Sequence, residues 1–296
     1  MKNNAEKTIK SFAEKWINNP GLVFDETSDE SSDVFNWIIR RNGWATPNDL
    51  RSYLKDKRRI LDAGCGNGRV TKLLHNYCSP NVEIIGIDGS SYLVAAENLK
   101  EINNISIHQA DLMVKKEVEA FGKFDFIYCQ EVLHHTENPY QSFSNLCSIL
   151  SDKGEIGIYV YKKKSPIREY TDDYVRNEIR NLSYEEAMPL MNEISQLGKA
   201  LSDLKLNIKV PSVKLLEIEA GENDLQRFIY HFFFKCFWNE AYNLQSNAAI
   251  NFDWYHPQTA TRHTIEEVRE WFFSESINIL HEYHDPYGIT VRGRRV

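Results

Sequence analysis

The sequence predicts an α/β fold, in which helices cover both faces of a mostly parallel β-sheet. From residue 59 onward, short apolar runs alternate with amphipathic stretches, which is typical of repeated strand–helix units. Predicted strands cover 59–63, 82–87, 105–109, 124–129 and 155–161, and predicted helices cover 70–76, 92–100 and 140–150. Because ligands bind such sheets at the carboxyl ends of the strands, functional residues are expected there.

Helices are predicted before the first strand. Apolar side chains recur at helical spacing over residues 5–18, and a second helix is expected to begin near Val34. Thr46 followed by Pro47 is typical of an N-cap with proline in the first turn, which predicts a third helix. We interpret residues 1–55 as an N-terminal helical cover.

The strand–helix alternation is interrupted in the second half of the chain. Residues 162–260 show mostly helical patterns and no clear strand. Thr264 is a suitable N-cap for a helix over 265–273, and strands over 277–283 and 289–294 follow as an antiparallel hairpin. The predicted domains are the cover (1–55), a ligand-binding core (56–161), a helical substrate lid inserted into it (162–260), and a C-terminal helix and hairpin that complete the core (261–296).

Charge and cysteine content indicate which binding partners and which cellular compartment to expect. The chain of 296 residues has a net charge of −7, whereas nucleic acids and anionic membranes attract basic surfaces, so neither is an expected partner. Five cysteines without a C-x-x-C pair indicate free thiols in a reducing compartment. Residues 1–10 lack the apolar region of a signal peptide, and the apolar residues 228–238 are too few to span a bilayer. We therefore expect a cytoplasmic protein.

A glycine-rich loop with the pattern Asp62-x-Gly64-x-Gly66-x-Gly68 follows the first strand. Glycines allow a tight turn and close approach of a ligand to the backbone, and the next helix offers unpaired N–H groups. A dinucleotide-binding fold would show G-x-G-x-x-G, so this spacing favours a different cofactor. A nicotinamide-binding fold is the competing interpretation.

Two acidic residues and one strand end support the loop. Asp88 ends the second strand 22 residues after Gly66, near the ~20 typical of a carboxylate that binds ribose hydroxyls. Asp111 follows the third strand, where it suits a ligand contact, although an isolated aspartate also fits a helix cap. Residues 129–135, Cys-Gln-Glu-Val-Leu-His-His, end the fourth strand at the same edge.

Residues 61–68, Leu-Asp-Ala-Gly-Cys-Gly-Asn-Gly, are similar almost letter for letter to the first motif of class I S-adenosylmethionine-dependent methyltransferases. The chain resembles the small-molecule type of that family over 59–161, and over 264–296 as the family's closing hairpin. The resemblance implies a Rossmann-like class I methyltransferase sheet, S-adenosylmethionine as cofactor, and methyl transfer by direct in-line displacement. Residues 162–260 and the N-terminal helices lie outside it.

The resemblance also implies roles at the cofactor. The three glycines would pack under the methionine and ribose portion, Asp62 would face the methionine amino group, and Asp88 would hold the ribose hydroxyls. Asp111 would accept a hydrogen bond from the adenine amine, and Gln130 or Glu131 would line the methionine side. The implied cofactor-binding residues are Asp62, Gly64, Cys65, Gly66, Gly68, Asp88, Gly89, Asp111, Leu112 and Gln130.

Acceptor-side residues are predicted from their chemistry. A histidine of the pair at 134–135 could serve as general base on an acceptor hydroxyl, because imidazole titrates near neutrality, or could orient the loop. The segments 253–257 and 262–264 are polar-aromatic clusters on a loop before the returning helix, and such loops often carry function. The candidate catalytic residues are His134, His135, Tyr255 and His263.

Four residues are substrate-binding candidates, namely Tyr161, Arg168, His256 and Arg262. Arg168 could hold a carboxylate or phosphate, and a surface arginine is its competing interpretation. The end of the fourth strand lacks the aspartate cluster that Mg²⁺ would need, so no metal is expected.

The predicted function is methyl transfer to an O or N atom of a small molecule, such as a sugar, an amino-acid-like metabolite or a natural-product intermediate. A lid encloses a compact acceptor better than a polymer. Alignment of the acceptor with the methyl group can by itself lower the reaction barrier by ~7–11 kcal/mol, so an obvious general base is not required. The alternatives are a protein or tRNA methyltransferase, and a catalytically silent cofactor-binding protein that works through partners. Monomer and homodimer both remain open.

Overall fold

The computed structural model describes residues 2–296, which divide into two compact units. Unit 1 extends up to Lys162 and resumes over Thr259–Val296, and unit 2 comprises Lys163–Gln258. The helices are α1 (Lys2–Asn18), α2 (Asp33–Arg41), α3 (Pro47–Leu54), α4 (Arg69–Tyr77), α5 (Tyr92–Leu99), α6 (Lys115–Glu119), α7 (Pro139–Ser148), α8 (Pro166–Ile179), α9 (Tyr184–Asp203), α10 (Leu225–Phe232), α11 (Leu244–Tyr255) and α12 (Ile265–Ser274). Over residues 2–296, no helix combines the length and the apolar character that crossing a bilayer would require.

The strands form one large sheet in unit 1 and one small hairpin in unit 2. They are β1 (Arg59–Ala63), β2 (Glu83–Asp88), β3 (Ile105–Gln109), β4 (Phe124–Gln130), β5 (Leu150–Tyr161), β6 (Asn207–Val210), β7 (Gly221–Asp224), β8 (Ile277–His284) and β9 (Gly288–Arg295). The large sheet has the order β3-β2-β1-β4-β5-β9-β8; β1 to β5 run parallel, and β9 pairs antiparallel with both β5 and β8. The predicted Rossmann-like sheet with its C-terminal antiparallel hairpin is confirmed.

The strand order places the ligand crevice. From β1 the chain moves outward through β2 to β3, and from β4 it moves outward through β5 on the other side. The direction therefore reverses between β1 and β4, and the carboxyl ends of strands at such a switch point are where ligands bind open α/β sheets.

Apolar side chains cover both faces of the sheet. One cluster includes Phe143 of α7 and Phe272 of α12, and the other includes Phe35 of α2, Leu50 of α3 and Leu73 of α4. Because helices cover both faces, the central strands have continuous apolar sequences instead of alternating ones.

Two helix starts have the caps that the sequence predicts. The Thr46 hydroxyl accepts from the N–H of Asp49 at 3.2 Å, and the Asp49 carboxylate accepts from the N–H of Thr46 at 2.8 Å. Thr264 and Glu267 make the same reciprocal pair at the start of α12. Such caps satisfy N–H groups that the first turn of a helix leaves unpaired.

The hairpin β6–β7 in unit 2 differs from the prediction that 162–260 contain no clear strand. Its register joins Asn207 to Asp224 and Val210 to Gly221. Both strands have only four residues, and β7, Gly-Glu-Asn-Asp, contains no apolar side chain. β6, Asn-Ile-Lys-Val, does alternate polar and apolar residues, but its length is the shortest for which alternation indicates a strand. The backbone ladder defines this hairpin, and a packed apolar face does not.

Candidate active site at the carboxyl ends of the strands

The glycine loop, residues 64–68, connects β1 to α4 in unit 1. Gly64, Gly66 and Gly68 have φ values of 85°, 57° and 87°, a region that side chains disfavour. A Cβ atom at Gly68 would lie 2.6 Å from Leu99, and one at Gly64 would clash with Val132. Both the backbone conformation and the packing therefore require glycine at these positions.

Asp88 holds the glycine loop against the start of the next loop. Its Oδ2 atom accepts from the N–H of Gly66 at 3.0 Å. Its Oδ1 atom accepts from the N–H groups of Ser90 at 2.8 Å and Ser91 at 2.7 Å, and from both hydroxyls at 3.0 Å. A carboxylate oxygen has two acceptor sites, so Oδ2 keeps capacity for a ligand hydroxyl.

Asp62 lies within the crevice end of β1 and is 1% exposed. Its Oδ2 atom accepts from the Thr71 hydroxyl at 2.6 Å. Burial raises the pKa of Asp62 to about 7, against the opposing effects of the Thr71 hydrogen bond and the Arg69 charge. A nearby cation would favour the ionised carboxylate, which suits the amino group that the resemblance assigns to it.

The other implied cofactor residues lie along the same edge. Cys65 is buried, and its N–H donates to the carbonyl of Ile87 at 3.0 Å. Gly89 directly follows β2, and its carbonyl accepts from Gln109 at 3.4 Å. Cys65 after β1 is thus joined to β2 by a backbone hydrogen bond, and Gly89 after β2 is joined to the end of β3 by a side-chain hydrogen bond.

Asp111 makes a local turn after β3. Its exposed carboxylate accepts from the N–H of Met113 at 2.8 Å, and its own N–H donates to Glu117 at 2.8 Å. Leu112 beside it is buried, and its carbonyl accepts from Asn145 at 2.8 Å. These bonds are those of a turn-forming aspartate, and the adenine contact stays a prediction.

Gln130 ends β4 beside the switch point. The Tyr128 hydroxyl donates to Gln130 Oε1 at 2.7 Å and accepts from the Asn42 amide at 2.7 Å. The Gln130 Nε2 atom is buried and has no hydrogen-bond partner among the residues that the structure describes. Because an unsatisfied buried donor costs about 1–3 kcal/mol, Nε2 is well suited to donate to a bound ligand.

Arg69 and Glu131 form an ion pair beside the loop that sequence reasoning did not assign. The Arg69 guanidinium lies 2.8 Å from the Glu131 carboxylate and 3.3 Å from the Thr27 hydroxyl. Glu131 has a φ of 62°, uncommon for a residue with a side chain and often found at functional sites. The position of Arg69 directly after the last loop glycine was the available sequence signal.

Trp16 of α1 covers the glycine loop. A Cβ atom at Gly66 would lie 3.2 Å from the Trp16 ring, and the Lys15 ammonium lies 4.1 Å from the same ring centroid. One turn earlier, the Phe12 ring contacts the His135 ring edge-on at 4.6 Å. Sequence reasoning found the apolar face of α1 but not what it covers, because helical spacing does not identify the surface that a helix contacts.

The histidine pair follows β4 in a short 3₁₀ turn, Leu133–His135. The buried His134 ring stacks on the Tyr161 ring at 3.6 Å, and the His134 carbonyl accepts from the N–H of Thr261 at 2.8 Å. His135 Nδ1 lies 2.9 Å from the carbonyl oxygen of Thr259. The structure thus brings three candidates together: His134, His135 and Tyr161.

His263 lies near this group. Its N–H donates to the Tyr161 carbonyl at 2.8 Å, which fixes it beside the end of β5. Its Nε2 atom lies 2.9 Å from the Thr261 hydroxyl, and its Nδ1 atom lies 3.4 Å from the Glu267 carboxylate. Arg262 directly precedes it in unit 1.

Tyr255 and His256 belong to unit 2. The Tyr255 hydroxyl lies 2.9 Å from both the Asp172 carboxylate and the Lys235 carbonyl, and His256 Nε2 lies 2.9 Å from the Leu182 carbonyl. Both side chains bond within their own unit, and their predicted contacts with substrate stay predictions.

Arg168 is also in unit 2, and it is not a surface residue. Its side chain is 1% exposed, and its Nε atom donates to Asp172 at 3.0 Å. Within residues 2–296, the structure has no group of three or more His, Cys, Asp or Glu side chains arranged to hold a metal ion.

The switch-point crevice, the glycine loop and the two aspartates define a protein of the class I S-adenosylmethionine-dependent methyltransferase type. A model of the methyltransferase domain matches residues 54–201, which is half of the chain. The chain therefore belongs to the methyltransferase domain family. The predicted class and its cofactor, S-adenosylmethionine, are thereby confirmed.

Individual relatives are similar over shorter stretches. An uncharacterized methyltransferase from Schizosaccharomyces pombe is 28% identical over 140 residues, covering 43% of this chain and 49% of its own. A ubiquinone biosynthesis O-methyltransferase from Glaesserella parasuis is 28% identical over 120 residues, covering 36% and 50%. An uncharacterized protein from Synechococcus is 38% identical over 106 residues, covering 35% and 25%. The chain thus spans a quarter to a half of these curated relatives.

Among solved structures, the N-methyltransferase NodS from Bradyrhizobium japonicum, in complex with S-adenosylhomocysteine, superposes with a TM-score of 0.49. It is 14% identical, and 98% of each chain is covered.

Proposed function

We propose that this protein transfers a methyl group from S-adenosylmethionine to an O or N atom of a small-molecule acceptor, such as a sugar, an amino-acid-like metabolite or a natural-product intermediate. The observation that carries the proposal is the Asp88 carboxylate, which accepts from the N–H of Gly66 at the switch point of the sheet. The O-methyltransferase name of the Glaesserella parasuis relative supports oxygen as an acceptor atom.

The residues present fit the cofactor in three respects. The glycine loop has the positive φ values of a tight turn, and Asp88 Oδ2 keeps acceptor capacity for a ribose hydroxyl. Gln130 offers a buried amide donor, and buried Asp62 suits a positively charged amino group. When bound, S-adenosylmethionine supplies a methyl group on a positively charged sulfur.

Residues of the chain itself hold the glycine loop in position and cover it. Asp88 fixes the loop through five hydrogen bonds. Trp16 shields Gly66 from solvent on the side of α1. Holding two reactants in line is worth ~7–11 kcal/mol of a reaction barrier, so a loop that fixes the position of the cofactor supplies much of what this reaction needs.

Among the histidines, His263 fits a proton acceptor best. Its side chain is 12% exposed, whereas His134 is fully buried against Tyr161. The Glu267 carboxylate, 3.4 Å from Nδ1, would stabilise the imidazolium that forms when Nε2 takes a proton. An amine acceptor needs no such base, because it must only arrive neutral.

A small-molecule acceptor is also favoured by charge. The net charge of −7 disfavours a polyanionic substrate such as tRNA. The assignment of residues 162–260 as a substrate lid stays a prediction.

The first experiment is isothermal titration with S-adenosylhomocysteine, for which we expect a single site with micromolar Kd. The second incubates the protein with methyl-labelled S-adenosylmethionine and a cell extract separated into small-molecule, protein and RNA fractions. Label in the small-molecule fraction is expected. Label only in protein or RNA would overturn the acceptor class, and absence of binding would overturn the function.

The same assay assigns the base once an acceptor is known. We expect His263→Ala to lower turnover at least tenfold with a hydroxyl acceptor and to leave the S-adenosylhomocysteine affinity unchanged. His134→Ala serves for comparison. Equal turnover for His263→Ala and the unsubstituted protein would remove His263 as the base.

A further inference from the structure

Two guanidinium groups face one tyrosine inside unit 2. The Arg168 guanidinium of α8 lies 4.7 Å from the centroid of the Tyr230 ring, and that of Arg227 on α10 lies 5.7 Å from it. Arg168 also lies 5.1 Å from the Trp254 ring, so two aromatic rings contact its planar group. Contacts of this kind hold a guanidinium in one orientation.

Asp172 orients Arg168 further but leaves part of it unused. The carboxylate accepts from Arg168 Nε at 3.0 Å. It also accepts from Trp254 Nε1 at 2.8 Å, from the Tyr255 hydroxyl at 2.9 Å and from the Lys235 N–H at 3.0 Å. Each carboxylate oxygen thus accepts from two donors, and Arg168 Nη1 makes no hydrogen bond to Asp172.

The unused donors are the Nη1 atoms of Arg168 and Arg227. Both atoms are buried, and neither has a hydrogen-bond partner within the described part of the chain. Arg227 uses its other terminal nitrogen, Nη2, to donate to the Trp238 carbonyl at 3.3 Å. A buried charged donor without an acceptor is costly, which points to an acceptor supplied by a ligand.

Three positive charges act on a histidine beside these guanidinium groups. His231 contacts the Tyr230 ring at 4.8 Å. Burial and the positive charges of Arg168, Lys164 and Arg227 lower the pKa of His231 to about 3. The imidazole is therefore neutral at physiological pH, and the local potential favours a negatively charged group.

We propose that Arg168, Arg227 and the neighbouring Lys164 form an oxyanion-binding site in unit 2, which takes a carboxylate or phosphate group of a small molecule. The two Nη1 atoms donate to the anionic oxygens, and Lys164 adds charge. Arginine suits this task because its planar fork matches the geometry of carboxylate and phosphate oxygens. The site is independent of the methyl-transfer proposal, because anion binding can be measured without cofactor.

The test is thermal unfolding of the full chain with inorganic phosphate or with malonate, each against sodium chloride at the same ionic strength. We expect a saturable rise of Tm with one of the two anions: phosphate alone would identify a phosphate site, and malonate alone a carboxylate site. The Arg227→Gln variant should weaken the apparent affinity at least tenfold. A matched control is Arg180→Gln, an exposed arginine of the same unit, which should respond as the unsubstituted protein does.

Two results would overturn the proposal: no saturable anion-specific rise of Tm, or an equal response of Arg227→Gln and Arg180→Gln. Arg227→Lys keeps the charge but loses the fork, so it should retain a partial response and remains informative if the glutamine variant does not fold. S-adenosylhomocysteine affinity, measured on the same samples, separates failure of this site from failure of the proposed methyl transfer.

Discussion

Two aspartates organise the two units in opposite ways. Asp88 is partly exposed at the end of β2 in unit 1, and three of its five hydrogen-bond donors are the backbone N–H groups of Gly66, Ser90 and Ser91. Asp172 is fully buried on a helix of unit 2, and three of its four donors are side chains, those of Arg168, Trp254 and Tyr255. The Asp88 bonds shape a loop, whereas the Asp172 bonds hold distant segments of a unit together.

We therefore expect Asp88 to control ligand binding and Asp172 to control the stability of unit 2. A carboxylate that orders loop amides and keeps acceptor capacity affects ligand binding, and its loss leaves groups that water can solvate. A carboxylate sealed inside a unit affects stability, because its loss leaves buried donors without a partner. Matched substitutions can separate the two effects.

Substitution of Asp172 should have the greatest consequence, and it should affect stability. We expect Asp172→Ala to lower the free energy of unfolding by about 3–5 kcal/mol, because Arg168 becomes a buried charge without its carboxylate and Trp254 and Tyr255 lose an acceptor. Urea denaturation monitored by tryptophan fluorescence measures this. S-adenosylhomocysteine affinity of the folded fraction should stay within threefold.

The exposed neighbour Asp173 provides the control, since Asp173→Ala removes the same charge from the same helix. A loss of less than 1 kcal/mol for both variants would contradict the structural role of Asp172.

The second effect is on binding. We expect Asp88→Ala to raise the Kd for S-adenosylhomocysteine about 100-fold, equivalent to about 2.7 kcal/mol. The variant loses both the acceptor offered to the ribose and the bond that positions Gly66. Isothermal titration measures the Kd, and circular dichroism should show a Tm within a few degrees of the unsubstituted protein.

Asp152→Ala is the matched control, because Asp152 is an exposed aspartate near the start of β5, away from the carboxyl ends of the strands. Retention of full affinity by Asp88→Ala would remove Asp88 from the cofactor site.

The same contrast explains how much could be predicted. The glycine loop and Asp88 were identified because the motif is local: seven residues of fixed spacing and one acid at the end of the next strand. The Asp172 bonds join residues that are separated by 63, 82 and 83 positions in the sequence, and no local sequence pattern predicts such a pairing. Arg168 alone was a candidate in sequence, and its burial and partners required the folded unit.

Sequence periodicity predicted elements that pack an apolar face and missed those that do not. The central strands and the hairpin β8–β9 belong to a covered sheet, so their apolar runs are visible. The hairpin β6–β7 leaves a much weaker signal, because β7 is polar throughout and β6 alternates over only four residues. The contact of Trp16 with the glycine loop was missed for a related reason, since an amphipathic helix shows that it packs but not where.

The smallest effect that we expect is a pH dependence of cofactor binding that comes from Asp62. Burial, and to a smaller extent the charge of Asp88, raise the pKa of Asp62 to about 7 against the opposing effects of Thr71 and Arg69. If the ionised carboxylate receives the cofactor's amino group, Asp62 must be deprotonated for binding. Below this pKa most molecules carry a proton on Asp62, and binding must then remove it. The Kd for S-adenosylhomocysteine should therefore rise about tenfold between pH 8 and pH 6, since the ionised fraction falls about tenfold.

Asp62→Asn should bind more weakly at pH 8 and lose this part of the pH dependence. The contribution of Asp62 to the stability of the folded protein should show the opposite pH dependence to binding. The folded-state pKa lies above the unfolded value, so the contribution of Asp62 to stability is fully present below about pH 4 and is lost as pH rises to about 7. Asp62→Asn removes that loss and should be more stable than the unsubstituted protein at pH 8, by up to about 4 kcal/mol for a pKa raised from 3.8 to about 7. Equal stability at pH 8, together with an unchanged pH profile of binding, would show that Asp62 is neither strained by burial nor in contact with the cofactor.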